Sequence, residues 1–84
     1  MTDARREERM TEQLLEQLKA LTRNWNTYED VPVSQQKECT AIGKQLNAAG
    51  GMALMQTAYY EAKGANPAVT VIQAYWDGIG DWRW

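Results

Sequence analysis

Eighty-four residues make one domain, close to the lower limit of what a single hydrophobic core sustains. One cysteine and no histidine leave no disulfide within the chain and no ordinary zinc ligand set. Nine Lys and Arg against eleven Asp and Glu give a net charge of −2 and a pI near 5.0, which argues against the clustered basic surface of a nucleic-acid binder.

The first predicted helix starts at Thr2 or Asp3 and runs to about Arg23. Either residue is placed to cap it through a side-chain oxygen. Met10, Leu14, Leu18, Leu21 and Trp25 recur at spacings of four, four, three and four, which is one helix face, and Leu15 widens it. Between Met1 and Met10 the apolar content is only Ala4, so residues 1–9 are expected to fray or project. Local pairs such as Arg5–Glu8 and Arg9–Glu12 would hold that segment at about 0.2–0.5 kcal/mol each.

Asn24 to Val33 reads as a connection, because Asn24, Asn26, Thr27 and Asp30 are turn formers and Pro32 disfavours helix at Val31. Ser34 is the expected cap of a second helix, with Val33 as its staple residue. Cys39, Ile42, Leu46 and Ala49 form the apolar stripe, and Gly43 lies on the same face. A mid-helix glycine costs about 1 kcal/mol against alanine, so another helix or an indole is expected to approach there.

Gly50 is the expected left-handed residue ending this helix. A third helix, Met52 to Lys63, carries Met52, Leu54, Met55, Ala58, Tyr59 and Ala62 over roughly 160° of its wheel. That width makes it the predicted hub, with Tyr60, Gln56 and Lys63 on the polar side and Gly64 as terminator. Asn66-Pro67 then signals a fourth helix to about Trp76, burying Ala68, Val71, Ile72 and Tyr75. Val69-Thr-Val-Ile72 is β-branched enough for a strand, but no partner strand is visible.

The predicted fold is therefore all-α: one domain over residues 1–84, one long helix and three shorter ones. An aromatic tail, residues 77–84, follows with Trp82 and Trp84. Gly78 and Gly80 are expected to reverse the chain and lay Ile79 and Trp82 on the bundle, over the gap left by Gly43. Trp76 and Trp82 are expected to be largely buried, and Trp84 and Tyr60 to stay at the surface. Tyr60, Trp76, Trp82 and Trp84 are together the candidate partner-binding residues, because Trp and Tyr dominate interface energetics.

Chemistry is sparse. Asp77-Gly-Ile-Gly-Asp81 has too few oxygen ligands for a calcium loop, and the glycines lack the lysine of a phosphate loop. Cys39 has no histidine base and sits on a core stripe. The carboxylates, Glu29, Asp30, Glu38, Glu61, Asp77 and Asp81 among them, read as solvated charge; no metal, cofactor or catalytic residue is expected. Residues 35–63 resemble a helix-turn-helix in outline, but Met52–Lys63 offers only Gln56, Thr57 and Lys63 to base edges, beside Glu61.

Residues after Met1 are charged, and no apolar run approaches the roughly 20 residues of a membrane span. The lone thiol suits a reducing cytoplasm. The short, acidic, histidine-free chain with a Gly-Ile-Gly-Asp-Trp tail has the look of small bacterial and phage proteins. The expected function is non-enzymatic: binding a protein partner or a second copy, with no nucleic acid or membrane contact. A DNA-binding helix-turn-helix and a small carboxylate enzyme or enzyme subunit are the alternatives.

Overall fold

The computed structural model describes the backbone of residues 2–26 and 31–83, and the side chains of that set from Arg9 onward. Trp84, the acids Glu29 and Asp30, the turn former Thr27 and the Arg5–Glu8 pair lie outside what is described. Three α-helices and one 3₁₀ turn form the chain: α1 Thr2–Thr22, α2 Val33–Ala65, a 3₁₀ turn Pro67–Val71 and α3 Ile72–Trp76. No strand occurs among the described residues.

The expected count of four helices is corrected to three. The second and third predicted helices are two arms of α2, which bends at Gly51. Gly51 has φ 67° and ψ −157°, a conformation essentially restricted to glycine. It takes the role expected of Gly50. The fourth predicted helix is part 3₁₀ and part α. Asn66 accepts from the Ala68 N–H at 3.1 Å, and the Val69 N–H returns to the Asn66 carbonyl at 3.2 Å, a three-residue step. Val69 to Ile72 are four consecutive β-branched residues, which lowers the α-helix propensity of this segment. Two boundaries also move. Ser34 does not cap α2; the Pro32 carbonyl accepts from the Gln35 and Gln36 N–H groups instead. Gly64 does not stop α2, which continues to Ala65.

α2 is the element on which α1, the 3₁₀ turn and α3 all pack. Its first arm buries Cys39, Ile42, Gly43 and Leu46, and its second arm buries Met55, Ala58, Tyr59 and Ala62. Ala49, expected on the same stripe, is exposed. Opposite lie Leu14, Leu18 and Trp25 from α1 and its exit. Burial in α1 starts at Leu14, while Met10 stays 53% exposed, so the stripe outruns the core that covers it. The Arg9–Glu12 pair does not form. Lys19 pairs instead with Glu16 at 3.3 Å and reaches Glu61 of α2 at 3.9 Å.

Trp76 and Gly43 provide the closest packing. A Cβ on Gly43 would sit 2.6 Å from Cδ1 and 2.8 Å from Cε2 of the Trp76 indole. Trp76 is fully buried, and its Nε1–H donates to the Cys39 carbonyl at 2.9 Å. The indole over Gly43 therefore belongs to Trp76, where the tail residues Ile79 and Trp82 were expected. Trp82 packs one layer further out, 4% exposed, edge-on to Trp76 at 5.2 Å and to Tyr59 at 5.8 Å. Positive φ at Gly78 and Gly80 lets the tail reverse, closed by Gly78 N–H to Trp82 carbonyl at 2.9 Å.

Asn66 fixes the return of the chain to α1. Its Nδ2 donates to the Thr22 carbonyl at 2.8 Å and the Trp25 carbonyl at 3.0 Å. The same side chain thus caps the 3₁₀ turn and satisfies carbonyls at the end of α1, which have no partner within that helix.

Two stability predictions follow from these contacts. Gly43→Ala drives a methyl into the indole and should cost about 1–3 kcal/mol despite its better helix propensity. In a Trp76→Leu background the same change should cost little, so a double-mutant cycle by urea unfolding should show coupling; additive effects would mean that the indole does not occupy the slot. Asn66→Asp keeps the cap but sets a carboxylate against two carbonyls, and should lower stability by about 1–3 kcal/mol while Asn66→Ser costs less on the cap side. Equal stability of wild type and Asn66→Asp would remove the clamp from the account.

Candidate docking face on α2 and α3

With Trp76 and Trp82 inside, the exposed large hydrophobics among the described residues are Met10, Val33 and Tyr60. Tyr60, expected at a partner surface, is 64% exposed on the second arm of α2, its ring edge-on to buried Tyr59 at 5.3 Å. Trp76 and Trp82 are part of the chain's own core and offer no surface. The four candidate aromatics are thus not one patch: one is exposed, two are buried, and Trp84 is not described.

Val33 belongs to a different feature. Along the first arm of α2, Val33, Lys37, Thr40, Ala41 and Lys44 follow at four, three, one and three, a stripe beside the core stripe. Tyr75 of α3 forms the flanking wall, and together they line a groove of about 480 Å³. Val33 is 64% exposed, Ala41 is exposed, and Tyr75 is half-buried.

The wall and floor are fixed from behind. The Tyr75 ring meets Trp25 edge-on at 6.0 Å, and the Trp25 Nε1–H donates to Gln35 Oε1 at 2.9 Å. Thr40 Oγ1 donates to the Gln36 carbonyl at 3.1 Å and lies 3.4 Å from the Tyr75 carbonyl, bridging α2 to α3. Gln36 Nε2 donates to the Val31 carbonyl at 2.7 Å and ties the entry of α2 down. The Thr40 and Gln36 side chains are thus turned onto the protein itself, while Val33 and Ala41 are exposed and Tyr75 is half-buried.

The charge is one-sided. Among the described residues, Lys37 and Lys44 line the groove and no acidic residue does. Neither lysine forms an ion pair with a described residue. This cationic stripe stands on a chain whose net charge is −2.

Sequence reading had placed Val33 as a staple and Tyr75 as core. It passed over Lys37, Ala41 and Lys44. The signal was present as a second helical stripe carrying two lysines and no acid, but its wall comes from a residue far along the chain.

Among the described residues, no three of Cys, Asp and Glu converge as a metal set, and Asp77 and Asp81 are exposed. Among them, too, no helix is long and apolar enough to cross a membrane. The chain matches no family model, no curated protein and no solved structure.

Cys39 lies under this face, on the core side of α2. Burial pushes its thiol from 9.0 up to about 12, against a smaller opposite effect of the neighbouring Trp76 indole. The folded chain therefore holds this proton where the unfolded chain releases it. The group leaves stability unchanged below about pH 9 and lowers it progressively as pH rises from there toward about 12. Urea midpoints measured from neutral to alkaline pH should fall more steeply for wild type than for Cys39→Ala. Parallel pH profiles would mean that the thiol is accessible to water.

Proposed function

We propose that the chain is a small non-enzymatic interaction module that binds another protein through the α2–α3 groove. The observation that carries this reading is the composition of the outer surface. Three tryptophans at or near the C-terminal end are the obvious anchors, yet two of them are spent on the core, while Val33 is left uncovered beside a braced tyrosine. An apolar floor with a polar rim is the usual anatomy of a protein contact. Tyr60 is a second contact on the opposite arm, with Trp82 and Tyr59 behind it. A reducing, cytoplasmic setting fits the same reading, because Cys39 is then a buried thiol with no redox task.

The helix-turn-helix alternative has less support. The inner face of the second arm of α2 is buried, as in any packed recognition helix, so burial alone does not separate the two readings. Its outer face gives DNA binding little support, because Gln56, Thr57, Tyr60, Glu61 and Lys63 carry one cation against one anion. Among the described residues no three acids are grouped that would support carboxylate catalysis. A closed dimer through the groove would pair this patch with itself and set the lysines of one copy against those of the other.

Val33→Asp and Tyr60→Ala should both leave the melting temperature nearly unchanged, since both positions are exposed. Affinity capture from the native host should return a band that Val33→Asp loses and that a Cys39→Ala control retains. Retention of every band by Val33→Asp would discard the groove. A salt-sensitive gel shift with duplex DNA at nanomolar protein, tighter than the roughly 10⁻⁴–10⁻⁶ M of non-specific contacts, would favour the helix-turn-helix reading instead.

A further inference from the structure

We propose that the occupant of the α2–α3 groove is an acidic amphipathic helix of another protein. The inference rests on the interaction reading above and adds the chemistry of the partner. Three features of the groove lead to it.

The first is backbone chemistry. No strand is present among the described residues, so the groove has no sheet edge to which an extended peptide would add. An extended segment would leave its own amides unpaired against side chains already bonded to the protein, such as Thr40 and Gln36. A helix brings its backbone bonds with it and contacts the groove through side chains alone.

The second is shape. Val33 to Lys44 spans about 16 Å at roughly 1.5 Å per residue, or three helical turns. Ala41 lies between Lys37 and Lys44 on the stripe, and its small side chain lets a neighbouring helix come near the α2 axis. Val33 and Tyr75 line the same groove and suit leucine-sized side chains packed ridge into groove.

The third is charge. Lys37 and Lys44 are seven residues apart, two turns along the same face, about 10 Å. A partner helix lying along α2 meets both with carboxylates seven residues apart. Two lysines are too few for an anionic membrane surface, for which juxtamembrane clusters carry four to eight basic residues, as an order of magnitude.

The test is a titration of the full-length ¹⁵N-labelled chain, followed by amide shifts. The probes are three designed helical peptides of about 15 residues, long enough for measurable helicity. They share one apolar stripe and differ only at two positions seven apart, which hold Glu, Gln or Lys. The Glu peptide is expected to shift amides of residues 33–44 and Tyr75. The Gln peptide should bind there roughly tenfold more weakly, and the Lys peptide more weakly still. Lys37→Gln/Lys44→Gln should reduce the Glu peptide to the affinity of the Gln peptide and abolish the difference in salt dependence.

Equal binding of Glu and Gln peptides in the groove would overturn the acidic partner and leave the interaction reading standing. No binding by any peptide, or shifts confined to another face, would overturn both. Preferential binding to phosphatidylserine vesicles, measured by co-sedimentation, would replace the peptide with a lipid surface. Mutual shifts on dilution of the chain alone, with a concentration-dependent sedimentation coefficient, would replace it with a second copy.

Discussion

Everything in this fold is arranged around one indole lying in the slot left by one missing methyl. Gly43 removes the Cβ from the inner face of α2, and the Trp76 ring fills the space at van der Waals distance. Its N–H would be an expensive orphan there, so it donates to the Cys39 carbonyl. That carbonyl already belongs to a helix turn and spends its second lone pair on the indole. A large aromatic side chain is thereby buried completely with its polar atom satisfied. In a domain of this size such an anchor outweighs many partial contacts, since truncating a buried Trp costs about 3–5 kcal/mol.

The requirement to deliver Trp76 to that slot explains the structure before and after it. Asn66 turns the chain out of α2 and ties it to the end of α1, which sets where the next segment begins. The 3₁₀ turn rises faster per residue than an α-helix and carries Val69 and Ile72 into the core on the way. Trp82 then packs on the outer edge of Trp76 and on Tyr59. Its own Nε1–H is buried without a partner among the described residues, the cost of using an indole as a lid. Two aromatic contacts, to Trp76 and Tyr59, hold it there against that unmet hydrogen bond.

Helical periodicity located the core faces well, because burial follows spacing wherever another element covers the helix; Met10 and Ala49 lie on the stripes and stay exposed. Leu14, Leu18, Cys39, Ile42, Leu46, Met55, Ala58, Tyr59 and Ala62 are all at positions their spacing assigns to the inside. Gly43 announced a close neighbour, and an indole was one of the two expected. Which indole was not readable, because Trp76 and Trp82 are both in reach and only the 3₁₀ turn puts the first of them over the slot. Caps and breaks were the other weak point. Ser34 and Gly50 have the right chemistry two residues and one residue away from where the chain uses it, at Pro32 through its carbonyl and at Gly51 through its φ. Asn66 was recognised as a cap, but its second set of bonds joins residues more than forty positions apart and leaves no local signature. The groove was hidden for the same reason: one wall is a helix stripe and the other is Tyr75, brought alongside only by tertiary folding.

The same glycine that draws the tail inward shapes what remains outside. Once Trp76 occupies the slot, α3 lies against the first arm of α2 and Tyr75, the preceding residue, is turned to the adjacent face. Trp25 braces the tyrosine from one side and the Thr40 hydroxyl joins its backbone from the other. Val33, Lys37, Ala41 and Lys44 gain a rigid wall that a lone helix would not have. Rigid aromatic walls and preformed floors reduce the ordering cost of binding. The core anchor and the outer groove are therefore two faces of one packing decision, and a substitution such as Gly43→Ala that displaces Trp76 should disturb the groove as well as the core.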